Sequence, residues 1–352
     1  MPLTPITATD ALSRLGEFNT VIDARSESEY ALDRLPGAVN WPSLNDDERR
    51  IVGTEYTQDS PFVAKKRGAA LVARNIARHI EREVLDKPKD WKPLVYCWRG
   101  GKRSGSLALI LDQIGFKVSL LEGGYREYRR AVMADLELLP QRFQYRVVCG
   151  TTGSGKSHLL RVLADRGEQV LDLEALANHR GSVLGLVPGS PQPSQKQFDS
   201  RVWEALRRFD PTRKVWVESE SKKVGDLRVP ERLIDQMRAS PCAALELPLE
   251  ARVALLVEDY PHFVTDTQAF CQRLDALRVL RGNDVINAWQ EAARAGRTSD
   301  VVRELLLNHY DPIYLQSMRR NFGSLQKQNR VVLWDGSANS LAHAATQMVE
   351  LG

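Results

Sequence analysis

Cysteine is scarce in this chain: Cys97, Cys149, Cys242 and Cys271 lie far apart, with no CxxC pair and no grouping with histidine at metal-ligand spacing. That spacing argues against both a disulfide framework and a structural zinc site, and favours reduced thiols. No apolar run approaches the roughly 20 residues that a membrane helix needs. The N-terminal stretch MPLTPITATDALSRLG has no basic segment followed by an apolar one, as a secretory leader would. A cytoplasmic protein without a membrane partner is expected. Low-complexity tracts and internal repeats are also missing, which excludes a disordered chain and a solenoid. Neither sign of charge dominates, since 49 Lys and Arg stand against 45 Asp and Glu for a net charge of +4. Binding to a polyanion therefore depends on local bunches such as Arg126, Arg129 and Arg130, or Arg142 and Arg146.

What is present is an alternation of short apolar segments and amphipathic ones over 352 residues, long enough for two domains. NTVIDARS, PGAVNWP, PLVYC and KVSLL read as strands, with helices expected over ESEYALDRL, from about Phe62 to Leu85, and from about Arg103 to Ile114. A second series, YRVVCG, EQVLDL, RKVWVES, CAALELP and RVVLWD, supplies five more strands. The fold class is therefore α/β with two parallel sheets. The expected domains are 1–130, a helical junction over 131–143 broken by Pro140, and 144–352 with a helical insertion at about 251–323.

Two segments have the chemistry of anion loops. In CWRGGKRS, Cys97 stands at a strand end and is followed by Trp98, Arg99, Gly100, Gly101, Lys102, Arg103 and Ser104. A thiol at the start of a glycine-containing turn and a helix N-terminus, among three cations, is stabilised as thiolate and can act as a nucleophile. Five residues separate Cys97 from Arg103, a ring of amides long enough to enclose a tetrahedral oxyanion. The second segment, GTTGSGKS, comprises Gly150, Thr151, Thr152, Gly153, Ser154, Gly155, Lys156 and Ser157 and fits the P-loop pattern GxxxxGKS. It follows an apolar strand and opens a helix, so its amides and Lys156 are suited to cradle a diphosphate. Candidate magnesium ligands are Ser157 with Asp172 or Glu174 and Glu218 or Glu220; Asp172 and Glu218 are the preferred pair. No motif for guanine recognition accompanies the loop, so the diphosphate's carrier stays open.

With VIDARSESEY and RLPGAVNWP upstream, the cysteine loop resembles that of rhodanese domains, which implies group transfer through a covalent intermediate on Cys97. The rival of that fold, a cysteine phosphatase, usually has histidine before its cysteine, where this chain has Tyr96. Adding GTTGSGKS, LDLEALANHRGSVLG, PSQKQF and VWVESES, the whole chain resembles the bacterial tRNA 2-selenouridine synthase family. That resemblance implies S-geranylation of 2-thiouridine at the wobble position with geranyl diphosphate, then replacement of S-geranyl by selenium from selenophosphate. It implies tRNA as partner, with a selenophosphate-producing enzyme a further candidate; no tightly bound cofactor is expected, and magnesium is a candidate on the P-loop residues alone. It also makes Asn178, His179, Arg180, Gly181 and Ser182 candidates for facing substrate. An ATP-dependent tRNA sulfurtransferase is the alternative.

Overall fold

The computed structural model describes residues 3–182, 184–187, 189–322 and 331–351. Among the described residues there are twelve short strands: β1 (Thr4–Ile6), β2 (Thr20–Asp23), β3 (Ala38–Asn40), β4 (Pro93–Tyr96), β5 (Ser119–Leu121), β6 (Gln144–Cys149), β7 (Gln169–Leu171), β8 (Lys214–Glu218), β9 (Lys223–Val224), β10 (Leu227–Arg228), β11 (Cys242–Glu246) and β12 (Val331–Leu333). They form two five-stranded parallel sheets, in the orders β1-β5-β4-β2-β3 and β12-β11-β6-β8-β7, and an antiparallel β9-β10 hairpin. Parallel strands need crossovers, and helices supply them by covering both faces, so the central strands are buried throughout. In β4 all four residues are buried, as are the last three of β6. Each of these strands leads directly into one of the anion loops.

The chain divides into two compact units: one runs to Asp135 and adds Ser194–Glu204, and the other comprises Leu136–Pro193 and the chain from Ala205 onward. Ser194–Glu204 thus packs with the first sheet although the second sheet's strands flank it in sequence. Its anchors there include Trp203, whose Nε1 donates to Asp135 at 2.8 Å, and Ser200, whose hydroxyl donates to Asp33 at 3.1 Å.

Helices Glu27–Leu32, Pro61–Glu83, Lys102–Ile114 and Lys156–Asp165 lie where their periodicity puts them. The helix Tyr125–Leu138 gives way to a 3-10 turn over Leu139–Arg142, because Pro140 lacks an N–H to continue the ladder. The described part of the expected insertion is helical from Leu249 to Asn321, with a π-turn over Leu306–Tyr310. Its expected end at Gly323, and the Arg330 start of the last expected strand, lie outside the described residues. Strand β1, the β9-β10 hairpin and the helix Asp46–Gln58 are additions to the sequence reading; strands of two or three residues are too short to show a period.

Candidate active sites

Cys97 is buried at the end of β4, where its Sγ accepts a hydrogen bond from the Ser104 hydroxyl at 3.0 Å. Ser104 lies on the first turn of the helix Lys102–Ile114, whose N-cap is Gly101 with no side-chain cap. Its first-turn amides are therefore left without a capping side chain beside the thiol. The loop's curvature needs Gly100 at φ 65°, where a Cβ would stand 2.7 Å from the Leu121 carbonyl. Gly124, at φ 60°, approaches still closer: a Cβ there would lie 2.2 Å from the Cys97 carbonyl and 2.6 Å from the Gly100 nitrogen. This approach lets the Tyr125 N–H donate to the Cys97 carbonyl at 2.8 Å and the Arg126 N–H to that of Trp98 at 3.2 Å.

The three cations of the loop are not equivalent. Arg99 and Lys102 are exposed, whereas Arg103 donates to Glu29 at 2.9 Å. Burial works to raise the Glu29 carboxyl, but Arg103 and Arg49 outweigh it and hold it below its ordinary value. Trp98 stacks on Tyr125 at 5.4 Å, and Lys196 brings its ammonium within 6.0 Å of the indole centre. Of the basic bunch after this loop, Arg129 is held by Asp199 and Arg130 pairs with Glu127. Beneath the loop, Tyr96 donates to Asp23 at 2.7 Å, and Asp23 pairs with Arg25 in an ion pair almost wholly shielded from solvent.

In the second unit, Gly153 and Gly155 have φ of 77° and 87°, and a Cβ on Gly155 would stand 2.2 Å from the Trp334 ring. The loop thus closes onto the helix Lys156–Asp165 with its backbone packed against neighbours. Lys156 donates to the carbonyls of Gly150 and Thr151 at 2.7 and 3.2 Å, and Ser157 donates to Glu174 at 3.0 Å.

The preferred magnesium pair has other partners. Asp172 accepts from the Ala175 N–H at 2.8 Å as a helix cap, and Glu218 accepts from the Glu174 N–H at 2.9 Å. It is Glu174 that meets Ser157. Burial first, and then repulsion from neighbouring acids (chiefly Asp172 and Glu174 on Glu218, and Glu174 on Glu220), pushes the Glu218 and Glu220 carboxyls well above the ordinary range, and burial raises Asp172 and Glu174. One Glu218 oxygen is buried without a partner. Among the described residues no three His, Cys, Asp or Glu side chains converge as a metal site.

A cavity of about 640 Å³ opens on Thr152–Ser157 and also touches Asp172, Glu174, Glu220 and the run from Asn178 to Ser182. Gly181, at φ 63°, packs against the acidic pair: a Cβ would lie 2.3 Å from a Glu174 oxygen. Asn178 is the one described non-glycine residue with positive φ, at 48°, and it donates to the Pro191 carbonyl. Burial lowers the His179 pKa and leaves its Nδ1 without a partner. Arg180 lies over the Tyr260 ring at 4.6 Å. Leu255, Leu256, Ile313, Tyr314, Met318 and Phe322 add an apolar and aromatic lining to the same cavity.

Sequence reasoning missed Glu29, Gly124, Tyr125 and Lys196 at the cysteine loop, and Arg252 and Tyr314 at the P-loop. Only the tandem Gly123-Gly124 after β5 carried a usable signal, that of a close backbone approach. Among the described residues no helix is long and apolar enough to cross a membrane.

Residues 7–131 match the rhodanese-like domain family, and residues 143–280 match the tRNA 2-selenouridine synthase AAA domain. The tRNA 2-selenouridine synthase of Bdellovibrio bacteriovorus is 31% identical, over 96% of this chain and 98% of that protein. The one from Alcanivorax borkumensis is 30% identical, over 90% and 94%. The one from Nitrosomonas europaea is 35% identical over 68% of this chain, and there the match spans 63% of the relative's length. With both anion loops intact and likeness running nearly end to end, the chain belongs to the tRNA 2-selenouridine synthase family.

Proposed function

We propose that the protein is a transferase that modifies the wobble uridine of tRNA in two steps, first S-geranylation of 2-thiouridine and then exchange of S-geranyl for selenium. The observation that carries this reading is the make-up of the P-loop cavity, whose lining combines a diphosphate cradle with apolar and aromatic side chains. A prenyl diphosphate has that same division between anion and hydrocarbon. Membership of the family supports tRNA as the substrate.

In the first step the base sulfur attacks C1 of the geranyl group, a C–S bond forms as the C–O bond breaks, and the base gives up a proton. Negative charge grows on the departing pyrophosphate, where Lys156 and the loop amides stabilise it. Magnesium fits here because it binds through one or two protein oxygens and completes its shell with phosphate oxygens and water, which needs no cluster of three carboxylates. Ser157 with Glu174 or Glu220 would hold it, and it would supply further charge neutralisation on the leaving group. Alkylation turns sulfur into a better leaving group. Selenium then enters at the selenide level, geranylthiol departs, and the exchange needs no external oxidant or reductant.

For the second step, the Cys97 loop has the size and charge for the tetrahedral selenophosphate, with Arg99 and Lys102 exposed beside it. The Cys97 thiolate attacks phosphorus, and an S–P bond forms as the P–Se bond breaks. The selenide released displaces geranylthiol from the base, and water hydrolyses the thiophosphate to free the thiol and phosphate. Nucleoside mass analysis of tRNA after incubation with geranyl diphosphate, then selenophosphate, tests the proposal. Cys97→Ala should retain S-geranyl-2-thiouridine and lose 2-selenouridine, while Lys156→Ala should lose alkylation yet process tRNA already geranylated. If both variants lose both products, the division of labour is wrong; sulfur transfer driven by ATP alone would replace the reading.

A further inference from the structure

The P-loop is held from outside by residues that no nucleotide-binding pattern contains. Arg252, only 6% exposed, donates through Nε and NH2 to the Thr152 carbonyl at 2.9 and 2.7 Å. The same guanidinium is bound by both oxygens of Asp311 at 2.9 and 2.6 Å. One turn further along the helix Asp311–Asn321, the Tyr314 hydroxyl accepts the Gly150 N–H at 2.6 Å and shares a hydrogen bond with Ser219 at 3.0 Å. The Lys156 ammonium stands 5.5 Å from the Tyr314 ring centre.

From this geometry we infer that Arg252, Asp311 and Tyr314 are positioning residues that orient the P-loop amides for departure of the diphosphate, an inference that rests on the alkylation step proposed above. In a planar trans peptide the carbonyl and the next N–H point in opposite directions. Arg252 draws the Thr152 carbonyl to itself, so the Gly153 N–H of the same peptide is turned the other way. Gly153 lines the cavity, and a Cβ there would meet Leu256 at 2.9 Å, so this peptide has little room to rotate once the carbonyl is held. An amide aimed at an oxyanion stabilises charge as it develops; a peptide flipped the other way presents a carbonyl and repels it. The helix also carries Tyr314 and Met318 into the cavity wall, so the element that orients the cradle also touches the space for the donor's chain.

Two variants test this. Tyr314→Phe keeps the ring beside Lys156 and removes only the hydroxyl; Arg252→Lys keeps a charge for Asp311 and removes the fork. For S-geranylation of 2-thiouridine tRNA, kcat should fall about fivefold in the first and about tenfold to a hundredfold in the second. KM for geranyl diphosphate should change less than threefold, because the charge being oriented for is fully present only on the leaving group. Binding of inorganic pyrophosphate, which carries that charge, should weaken at least tenfold in Arg252→Lys. Selenation of tRNA supplied already geranylated should be unchanged. Unaltered kcat and pyrophosphate affinity in both variants would overturn the inference, as would an equal loss in both steps, which signals general destabilisation. If the wild-type protein makes no S-geranyl product, the proposed function fails, and pyrophosphate binding still decides the role of the clamp.

Discussion

Replacing Arg25 by Leu probes the support beneath the cysteine loop. Its guanidinium donates to Asp23 through Nε at 3.0 and 3.1 Å and through NH2 at 2.6 Å, and to the Asp33 carbonyl at 2.6 Å. It also lies 4.0 Å from the centre of the Tyr125 ring. Both members of the pair are buried, with side chains 1% and 0% exposed, so water cannot replace the lost partner. Leucine would strand the Asp23 carboxylate with the Tyr96 hydroxyl and the Arg25 backbone N–H, and orphan the Asp33 carbonyl. Breaking a buried pair from one side costs about 3–5 kcal/mol. The loss is local to β2 and β4, so hydrogen exchange of their amides reports it directly, and in the EX2 limit exchange should quicken by roughly two to three and a half orders of magnitude. Tyr96 precedes Cys97 and Tyr125 ties down its carbonyl, so selenation should fall while geranylation persists. The double variant Asp23→Leu/Arg25→Leu should recover part of the loss, since it leaves no buried charge unpaired. Acceleration under tenfold in the single variant would refute the reasoning.

Two further outcomes follow from other close approaches. Gly124→Ala forces a Cβ onto the Cys97 carbonyl and the Gly100 nitrogen at φ 60°, so 2-selenouridine formation should drop at least a hundredfold with S-geranylation retained, as nucleoside mass analysis would read; normal selenation would mean the loop does not depend on that approach. In the acidic cluster, the Glu218 and Glu220 carboxyls sit above their unfolded pKa of about 4.3 because of burial and repulsion from neighbouring acids, Glu174 above all for Glu220, so the folded state binds protons more tightly than the unfolded one. Their contribution is full below that value and is lost as pH rises through the folded pKa. Glu218→Gln should therefore raise the unfolding temperature of the chelator-treated protein at neutral pH and flatten its fall with rising pH; a lower temperature than wild type at pH 7 would contradict this.

Local sequence was sufficient wherever the determinant was a local pattern. Apolar strands ending in Cys97 and Cys149, each followed by a glycine-containing turn and a helix, announced two parallel sheets and two anion loops, because strand, turn and helix N-terminus are set by neighbouring residues. Which groups complete those loops was decided only in three dimensions. Arg252 and Tyr314 reach the P-loop from 100 and 164 residues away in sequence. Lys196 reaches Trp98 because Ser194–Glu204 packs with the first sheet. Which of the four candidate carboxylates meets Ser157 was also set in three dimensions: Glu174 accepts its hydroxyl, whereas Asp172 and Glu218 accept backbone N–H groups. Charge shows the same split: the sequence by itself determined how many cations surround Cys97, and tertiary structure decided that Glu29 holds Arg103 while Arg99 and Lys102 remain exposed. Short-range sterics and backbone hydrogen bonding are written in adjacent residues. Partner choice among side chains depends on packing across the whole chain.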